Sequence, residues 1–219
     1  MNERTASLIG ATGLIGNYLL QELLKDDYFT TVRLLIRRPV ALSHPKLEKK
    51  LVDFNDAESF KLALEGTTII FCCIGTTTKK VKGNKELYRK IDFDIPVNTA
   101  KFGKETGCET FVFVSSLGAN KNSNSFYLKL KGETEEALKS IGLNSLYIMR
   151  PSLLLGKRKE FRLGEKLAEV FMVPVSFLLP AKYKPVDGMK VAKAMIVAAK
   201  QEKKGIFVYE NREIKNFNK

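Results

Sequence analysis

The stretch that decides the fold is Ser7-Leu8-Ile9-Gly10-Ala11-Thr12-Gly13-Leu14-Ile15-Gly16-Asn17. An apolar run leads into three glycines at three-residue spacing, and apolar residues then recur at helical intervals from Leu14 onward. A strand, a glycine turn and a helix in this order are typical of a site for a nucleotide pyrophosphate. In such a unit, Gly10 permits a sharp turn, Gly13 lets the backbone approach phosphate, and Gly16 lets the helix pack tightly on the strand.

The helix that follows the glycines is expected to point its first amides at an anion, because these N–H groups lack helical partners and the helix dipole favours negative charge. We therefore predict that Thr12, Leu14 and Ile15 contact a dinucleotide together with the three glycines. The spacing is G-x-x-G-x-x-G rather than G-x-G-x-x-G, and the alternative is a glycine-rich turn that holds no ligand.

The rest of the chain alternates apolar runs with amphipathic stretches, a pattern typical of a parallel sheet covered by helices on both faces. We predict an α/β protein with a Rossmann-like, doubly wound parallel sheet in three αβα layers. One domain spans residues 1–219, with a cofactor-binding core at 1–150. Residues 151–219 add a small C-terminal extension on the substrate side, the last helix and the last strand.

The predicted strands after the first cover residues 31–36, 47–54, 67–74, 110–115, 145–150 and 206–209, and the predicted helices cover 14–25, 57–64, 126–140, 164–171 and 189–200. A longer helical segment is predicted from about residue 84 to 106. Pro96 lies within it, and a kink or break is expected there because proline removes a backbone hydrogen bond.

Composition narrows the class of protein. The chain has 219 residues, of which 44% are hydrophobic, and no apolar run reaches the roughly 18 residues that a membrane span needs. The N-terminal residues run straight into the first predicted strand, which leaves no room for a signal peptide. Three cysteines, Cys72, Cys73 and Cys108, show no metal-ligand spacing. We expect no metal site, no membrane association, and reduced thiols in a cytoplasmic protein.

The chain has a formal net charge of +13, and two basic clusters stand out in its sequence. They consist of Lys79, Lys80, Lys82, Lys85, Arg89 and Lys90, and of Lys157, Arg158, Lys159 and Arg162. Each follows a predicted strand, so both are expected to rim one crevice and to attract an anionic carbonyl substrate. Solvated loops that only assist cofactor binding are the alternative. Nucleic acid is not expected as a partner, because aromatic residues do not interleave the charge.

Four further positions are predicted to bind the adenosine end of the dinucleotide, and two of them, Arg37 and Arg38, favour a phosphorylated ribose. Arg37 and Arg38 follow the second strand, where an arginine accommodates an adenosine 2′-phosphate and an acid would favour NAD. We therefore predict NADP(H), against the alternative of two merely solvated arginines. After the third strand, Asp53 is expected to accept from the adenine amino group and Phe54 to flank the ring. Asp53 is equally suited to capping its own loop.

The end of the fourth strand is expected to approach the cofactor a second time. The residues that we assign to this approach are Ile74, Gly75 and Thr76. Gly75 is the informative member, because glycine at a strand's carboxyl end marks close approach of a ligand to the backbone.

A catalytic group is predicted from Ser116, Tyr127 and Lys131. Tyr127 and Lys131 are four residues apart and share one helix face, behind a Ser-Ser pair that ends the fifth strand. A neighbouring ammonium favours the phenolate form of tyrosine, which suits proton exchange with a carbonyl or alcohol, and the serine hydroxyl can orient the same oxygen. Lys131 can also hold the nicotinamide ribose. Ser115 competes with Ser116 for the serine role, and an ordinary exposed helix pair is the alternative for Tyr127 and Lys131.

The order of the glycine motif, Ser116, Tyr127 and Lys131 resembles the short-chain dehydrogenase/reductase superfamily. A closer resemblance is to its atypical short members with an NAD(P)H-binding domain. These include the Tat-interactive-protein-like oxidoreductases and the bacterial proteins called nucleoside-diphosphate-sugar epimerases. The stretches that carry it are Phe71-Cys72-Cys73-Ile74-Gly75-Thr76-Thr77, Ser115-Ser116-Leu117-Gly118-Ala119, Phe126-Tyr127-Leu128-Lys129-Leu130-Lys131-Gly132-Glu133 and Arg150-Pro151-Ser152.

The resemblance implies a Rossmann fold, NADP(H), Tyr127 and Lys131 in the catalytic positions, and a segment beside the nicotinamide that includes Pro151, Leu153 and Leu154. Sugar epimerases carry a large C-terminal substrate domain, for which the residues after Arg150 are too few. The leading hypothesis is an NADP(H)-dependent oxidoreductase acting on a small carbonyl compound. The alternatives are an NADP(H)-binding redox sensor or regulatory protein that meets a protein partner, and an epimerase-like enzyme. No pattern indicates an oligomeric state.

Overall fold

The computed structural model describes residues 3–156, 180 and 182–217. The strands are β1 (Thr5–Ile9), β2 (Thr31–Ile36), β3 (Leu47–Leu51), β4 (Ile69–Cys72), β5 (Thr110–Val114), β6 (Ser145–Arg150), β7 (Leu154–Leu155), β8 (Val186–Asp187) and β9 (Gly205–Glu210). The helices are α1 (Leu14–Lys25), α2 (Ala57–Leu62), α3 (Lys85–Arg89), α4 (Ile95–Glu105), α5 (Phe126–Ser140), α6 (Gly188–Ala199) and α7 (Asn211–Asn216). A π-helical turn, Lys90–Asp94, joins α3 to α4.

Seven of these strands form one parallel sheet in the order β3-β2-β1-β4-β5-β6-β9. The chain winds outward from β1 to β3 and then in the opposite direction from β4 to β9. The order therefore reverses between β1 and β4, where Ile9 pairs with Leu35 on one side and with Cys72 on the other. In open sheets of this kind, ligands bind outside the carboxyl ends of the strands at such a reversal.

Helices cover both faces of the sheet, because successive strand residues point to opposite sides. Phe71 of β4 packs in the core beneath α1 and α6, whereas its neighbour Ile70 packs in the core beneath α2, α4 and α5. Both cores consist of aliphatic and aromatic side chains, as expected for central parallel strands buried on two faces. The predicted doubly wound α/β fold is confirmed.

Several boundaries differ from the predicted ones. β3 ends at Leu51 and β4 at Cys72, although the amides of Val52 and Cys73 still donate to Ile36 and Ile9 of the neighbouring strands. The interruption expected at Pro96 takes the form of the π-helical turn, and Pro96 itself lies in the first turn of α4, where its missing N–H costs little. The sequence reading missed α7, whose start is fixed by a capping box between Glu210 and Glu213.

The C-terminal part contributes to the main sheet, since β9 pairs with β6 along its whole length. Asp187 caps α6 by accepting a hydrogen bond from the amide of Met189. The helix predicted at 164–171 lies outside the described residues, and the division into a core at 1–150 and a substrate-side extension stays a prediction. Within the described ranges, no helix is long and apolar enough to cross a membrane.

Gly10 and Gly66 both have a positive φ, but only at Gly10 would an added side chain also collide with neighbouring atoms. A Cβ at Gly10 (φ 86°) would lie 2.6 Å from the carbonyl carbon of Cys73, whereas at Gly66 (φ 70°) it would meet nothing within 4 Å. Gly66→Ala is therefore expected to lower the free energy of unfolding by about 1–2 kcal/mol, the cost of a left-handed residue. Gly10→Ala should cost about 1–3 kcal/mol more, because backbone must also move. Urea unfolding of both variants measures the difference, and equal losses would contradict the close β1–β4 contact.

Candidate active site

The glycine turn between β1 and α1 is packed backbone against backbone. A Cβ on Gly16 would overlap the carbonyl oxygen of Gly10, and the amide of Gly13 donates to that same oxygen at 3.0 Å. Gly16 was predicted to let the helix pack on the strand. The structure places the close contact at the end of that strand, on the turn itself. A side chain at Gly10 or Gly16 would therefore force the turn open.

The N-terminus of α1 faces the crevice without a protein cap. Gly13 is the N-cap residue, no described side chain caps this end, and the first turn contains no acidic residue. Thr12 and Gly13 are exposed, Leu14 is half-buried, and Ile15 is buried in the core. The amides of this first turn and the glycine turn before it form a cradle of the kind that a pyrophosphate occupies. The residues present therefore fit a dinucleotide.

Arg37, Asp53 and Phe54, three of the residues predicted to hold adenosine, line one cavity of about 510 Å³. Most of the remaining lining is apolar and comes from two parts of the chain: Pro39, Leu51 and Val52 from residues 39–52, and Leu87, Ile91 and Ile95 from residues 87–95. Asn55 and Lys90 complete the lining. Arg38 is exposed and is not part of this lining. An apolar slot with a few polar groups suits a heteroaromatic base.

Asp53 adopts the loop-capping arrangement that the sequence left open. Its Oδ1 accepts from the backbone amide of Asn55 at 2.9 Å and from the side-chain amide of Asn55 at 2.8 Å. Phe54 packs edge-on against Phe60 with ring centroids 4.8 Å apart. These contacts hold the wall of the cavity in place, so Asp53 has a structural task in this loop.

The chain after β4 is held by a hydrogen bond to Asp92, a site residue that was not predicted from the sequence. The backbone amide of Thr76 donates to Asp92 Oδ2 at 2.7 Å, and a Cβ on Gly75 would lie 3.4 Å from Asp92 Oδ1. Ile74 is half-buried against the core. The predicted close approach at Gly75 is thus used in part by a protein carboxylate.

Asp92 also meets Lys131. The Nζ of Lys131 lies 3.3 Å from Asp92 Oδ1 and 3.5 Å from the carbonyl oxygen of Val114, and it sits 5.0 Å from the centroid of the Phe113 ring. The two side chains are only 5% and 2% exposed. Burial lowers the pKa of Lys131, but electrostatic interactions, of which that with the Asp92 carboxylate is the largest, raise it more, so the net pKa lies above its ordinary value. Lys131 is therefore an ammonium at neutral pH.

Tyr127 lies one helical turn before Lys131 on α5, and 39% of it is exposed to solvent. The structure thus joins a buried, ion-paired lysine to an accessible phenol on one helix face.

The only sequence signal for Asp92 is an acid flanked by Ile91 and Phe93 within a helical segment. The π-helical turn gives Asp92 its inward position, and this turn cannot be recognised from regular helical spacing.

The two adjacent serines have different surroundings. The hydroxyl of Ser115 donates to buried Glu135, which also accepts two hydrogen bonds from Arg150 at 3.0 and 2.6 Å. Ser116 is half-buried, and its hydroxyl donates to the carbonyl oxygen of Leu117 at 3.4 Å. Ser115 therefore belongs to a network that ties α5 to β6, and Ser116 is the serine with a weakly held hydroxyl.

The segment after β6 runs from the end of that strand to the start of α1, next to the glycine turn. Pro151 is buried, and Leu153 and Leu154 are half-buried. At its end, a Cβ on Gly156 would lie 2.8 Å from Cδ1 of Leu14, at the start of α1. The predicted residues of this segment thus lie between the end of β6 and the glycine turn. The basic cluster formed by Lys157, Arg158, Lys159 and Arg162 lies outside the described residues.

Residues 10–176 match the NAD(P)H-binding family. The chain belongs to this family. Protein HTATIP2 of Rattus norvegicus is 33% identical over 174 residues, which cover 78% of this chain and 71% of that protein. Mitochondrial protein FMP52 of Candida glabrata is 36% identical over 210 residues, which cover 92% of this chain and 88% of that protein.

Solved structures confirm the Rossmann-like fold of this NAD(P)H-binding protein. UDP-glucose 4-epimerase of Thermus thermophilus, in complex with NAD, has a TM-score of 0.70 at 20% identity and covers 97% of this chain and 81% of its own. A double mutant of DesIV, a dTDP-glucose 4,6-dehydratase of Streptomyces venezuelae, has a TM-score of 0.73 at 16% identity over 93% of this chain and 74% of its own. At these identities the likeness concerns the fold alone.

The expected cytoplasmic location is wrong. FMP52 of Candida glabrata and FMP52 of Debaryomyces hansenii, each 36% identical to this chain, are named mitochondrial proteins. The expectation rested mainly on cysteine usage, which reports the redox state of a compartment and fits any reducing one. Burial raises the pKa of Cys72 and of Cys108 to about 12, so both are thiols at neutral pH in whichever reducing compartment holds them.

Removing one partner of the Asp92–Lys131 pair should destabilise the protein strongly. Asp92→Asn leaves a buried ammonium without its counter-charge, and we expect the free energy of unfolding to fall by about 3–5 kcal/mol. The matched control is Glu133→Gln, which removes the partner of Arg89 in an exposed pair and should cost less than about 1 kcal/mol. Chemical denaturation at pH 7 measures both losses.

The pH dependence follows from the raised pKa of Lys131. A raised pKa in the folded state means that the stabilisation is complete below the unfolded pKa of about 10.4 and is lost as pH rises through the folded value. In Asp92→Asn the carboxylate no longer opposes the lowering of the Lys131 pKa by burial, so the deficit of this variant should be larger at pH 7 than at about pH 9, because the buried lysine loses its proton as pH rises. A double variant, Asp92→Asn with Lys131→Met, should recover part of the loss, and no recovery would contradict the role of the unpaired charge.

Proposed function

We propose that this protein is an NADP(H)-dependent oxidoreductase that interconverts a small carbonyl compound and its alcohol. The observation that supports the proposal most directly is the pairing of an accessible phenol at Tyr127 with the buried ammonium of Lys131, one turn away at the carboxyl ends of β4 and β5. When bound, the reduced nicotinamide supplies the hydride that reaches the carbonyl carbon.

Tyr127 supplies the proton in this proposal. Its hydroxyl donates to the carbonyl oxygen as that oxygen gains negative charge, so the products are an alcohol and a phenolate, which then takes a proton from solvent. Lys131 stabilises the phenolate through its positive charge, and Asp92 keeps that charge in place by ion pairing. Ser116 orients the substrate oxygen, a role that suits its weakly held hydroxyl better than the buried hydroxyl of Ser115.

The cofactor assignment to NADP(H) rests on the cavity lined by Arg37, Asp53 and Phe54, which we call the adenosine cavity. Arg37 lines it beside Phe54, and no acidic residue follows β2 to accept from a ribose diol. A guanidinium donates two hydrogen bonds to a phosphate in one plane, which suits an adenosine 2′-phosphate. The pyrophosphate would lie at the first turn of α1, and the nicotinamide near Pro151, Leu153 and Leu154.

The substrate is proposed to be anionic. Lys85 Nζ lies 5.7 Å from the centroid of the Phe126 ring, so positive charge borders the residue next to Tyr127. Lys79 and Lys82 are exposed on the loop before α3. A rim of this sign raises the local concentration of a negatively charged carbonyl compound and its rate of association.

Tyr127→Phe should abolish most of the reaction while the cofactor still binds. With a panel of carbonyl compounds and NADPH, we expect kcat to fall by about 10²- to 10⁴-fold, the usual contribution of a proton donor. The control is Tyr28→Phe, which removes a hydroxyl hydrogen-bonded to Glu202 far from the proposed proton donor. Unchanged turnover in Tyr127→Phe would refute its role. NADPH binding without turnover of any compound by the wild type would favour a regulatory NADP(H)-binding protein instead.

Arg37 and Arg38 should contribute unequally to cofactor preference. Arg37→Ala is expected to weaken NADPH binding by about ten- to thirtyfold and to leave NADH nearly unchanged, because one charge-assisted phosphate contact is lost. Arg38→Ala, outside the cavity lining, should have a smaller effect. Fluorescence titration with both dinucleotides measures the ratio. Equal affinity of the wild type for NADH and NADPH would contradict the assignment to NADP(H).

A further inference from the structure

The adenosine cavity is lined by a second cationic residue, Lys90, which was expected to border the substrate instead. Lys90 lines this cavity together with Arg37, Asp53 and Phe54. Arg37 comes from the loop after β2, whereas Lys90 is the first residue of the π-helical turn. The cavity is therefore bordered by positive charge from two separate elements. In the sequence, Lys90 is the last residue of the basic cluster that begins at Lys79, and this cluster was expected to line the rim of the crevice and attract the substrate.

The charges around the cavity leave both cations available to a ligand. Arg37 and Lys90 are exposed, and neither forms an ion pair with any residue that the structure describes. Asp53 is the acidic residue of the lining, and its Oδ1 already accepts two hydrogen bonds from Asn55. Asp94 lies nearby in an adjoining cavity that Lys90 also lines, and Asp92 is turned inward to Lys131. A dianionic group in the adenosine cavity would meet two cations that form no ion pair with any described residue, beside one carboxylate, Asp53.

The backbone explains why Lys90 is presented here. A π-helical turn contains an additional residue relative to an α-helix, so side chains shift around the helix axis within it. Lys90 and Ile91 both line the cavity, while Asp92 is directed into the protein interior. The lysine stem can pack along the apolar wall and still place its ammonium in the opening, as long cationic side chains commonly do.

We propose that Lys90 is a specificity-determining residue for the cofactor and that it binds the adenosine 2′-phosphate from the side opposite Arg37. The inference rests on the proposed use of NADP(H) and adds a second ligand-binding residue to it. Lys90 is thereby separated from the substrate rim formed by the remaining lysines. A compact ammonium supplies charge without fixed geometry, whereas Arg37 supplies the planar fork that sets orientation.

Nucleotide fragments isolate the phosphate contact. Calorimetry of the full-length protein with 2′,5′-ADP and with 5′-AMP compares ligands that differ only in the 2′-phosphate. Lys90→Gln should weaken 2′,5′-ADP binding by about three- to tenfold and change 5′-AMP binding by less than about twofold. The loss should shrink at high salt, since an exposed ion pair is screened. NADPH and NADH titrations should show the same selectivity.

Two further variants supply controls. Lys101→Gln removes an exposed lysine on α4 that is not part of the cavity lining, so it should leave both fragments unaffected. Lys90→Arg keeps the charge and should retain most of the selectivity. Thermal denaturation of Lys90→Gln should match the wild type, because the side chain is exposed.

The outcomes separate this inference from the proposed function. If Arg37→Ala discriminates between the two fragments and Lys90→Gln does not, Lys90 has no phosphate contact and only this inference is overturned. Equal weakening of both fragments by Lys90→Gln, or an identical effect of Lys101→Gln, overturns it as well. If the wild type itself fails to discriminate between the fragments, the proposed preference for NADP(H) is wrong.

Discussion

The buried ion pair between Asp92 and Lys131 is the interaction on which the candidate site depends. Taking two charges out of water is costly, and mutual attraction offsets this only when further hydrogen bonds complete the site. Here Asp92 also accepts from the amide of Thr76, and Lys131 lies beside the carbonyl of Val114. One carboxylate thus links the π-helical turn, the exit from β4 and α5. The cation is held at the centre of the crevice without a solvent-exposed partner.

Much of the fold could be predicted because its signals are local and periodic. The three glycines are required for steric reasons that apply to any sequence with this pattern. The continuous apolar run around Phe71 is what a central parallel strand requires. Strand ends were less predictable, since leaving the sheet depends on what the crevice side of the chain contacts.

Parts of the site depend on long-range contacts that spacing does not encode. Regular helical periodicity treats Asp92 as one more polar residue of an exposed helix, and only the π-helical turn directs it inward. Arg37 and Arg38 are equivalent in sequence, but the loop after β2 directs only Arg37 to the cavity. Ser115 and Ser116 are distinguished by Glu135, a residue twenty positions away from Ser115.

The π-helical turn carries a consequence for how this site can change. It presents Lys90 to the adenosine cavity and, two residues later, Asp92 to Lys131. Deleting one residue would restore an α-helix and rotate one of these side chains by roughly 100° relative to the other. The two ends of the crevice are thereby set by a single backbone irregularity. The proposed contact of Lys90 with the cofactor and the ion pair of Asp92 with Lys131 therefore depend on the same helical turn, so a change in its length alters the positions of both side chains.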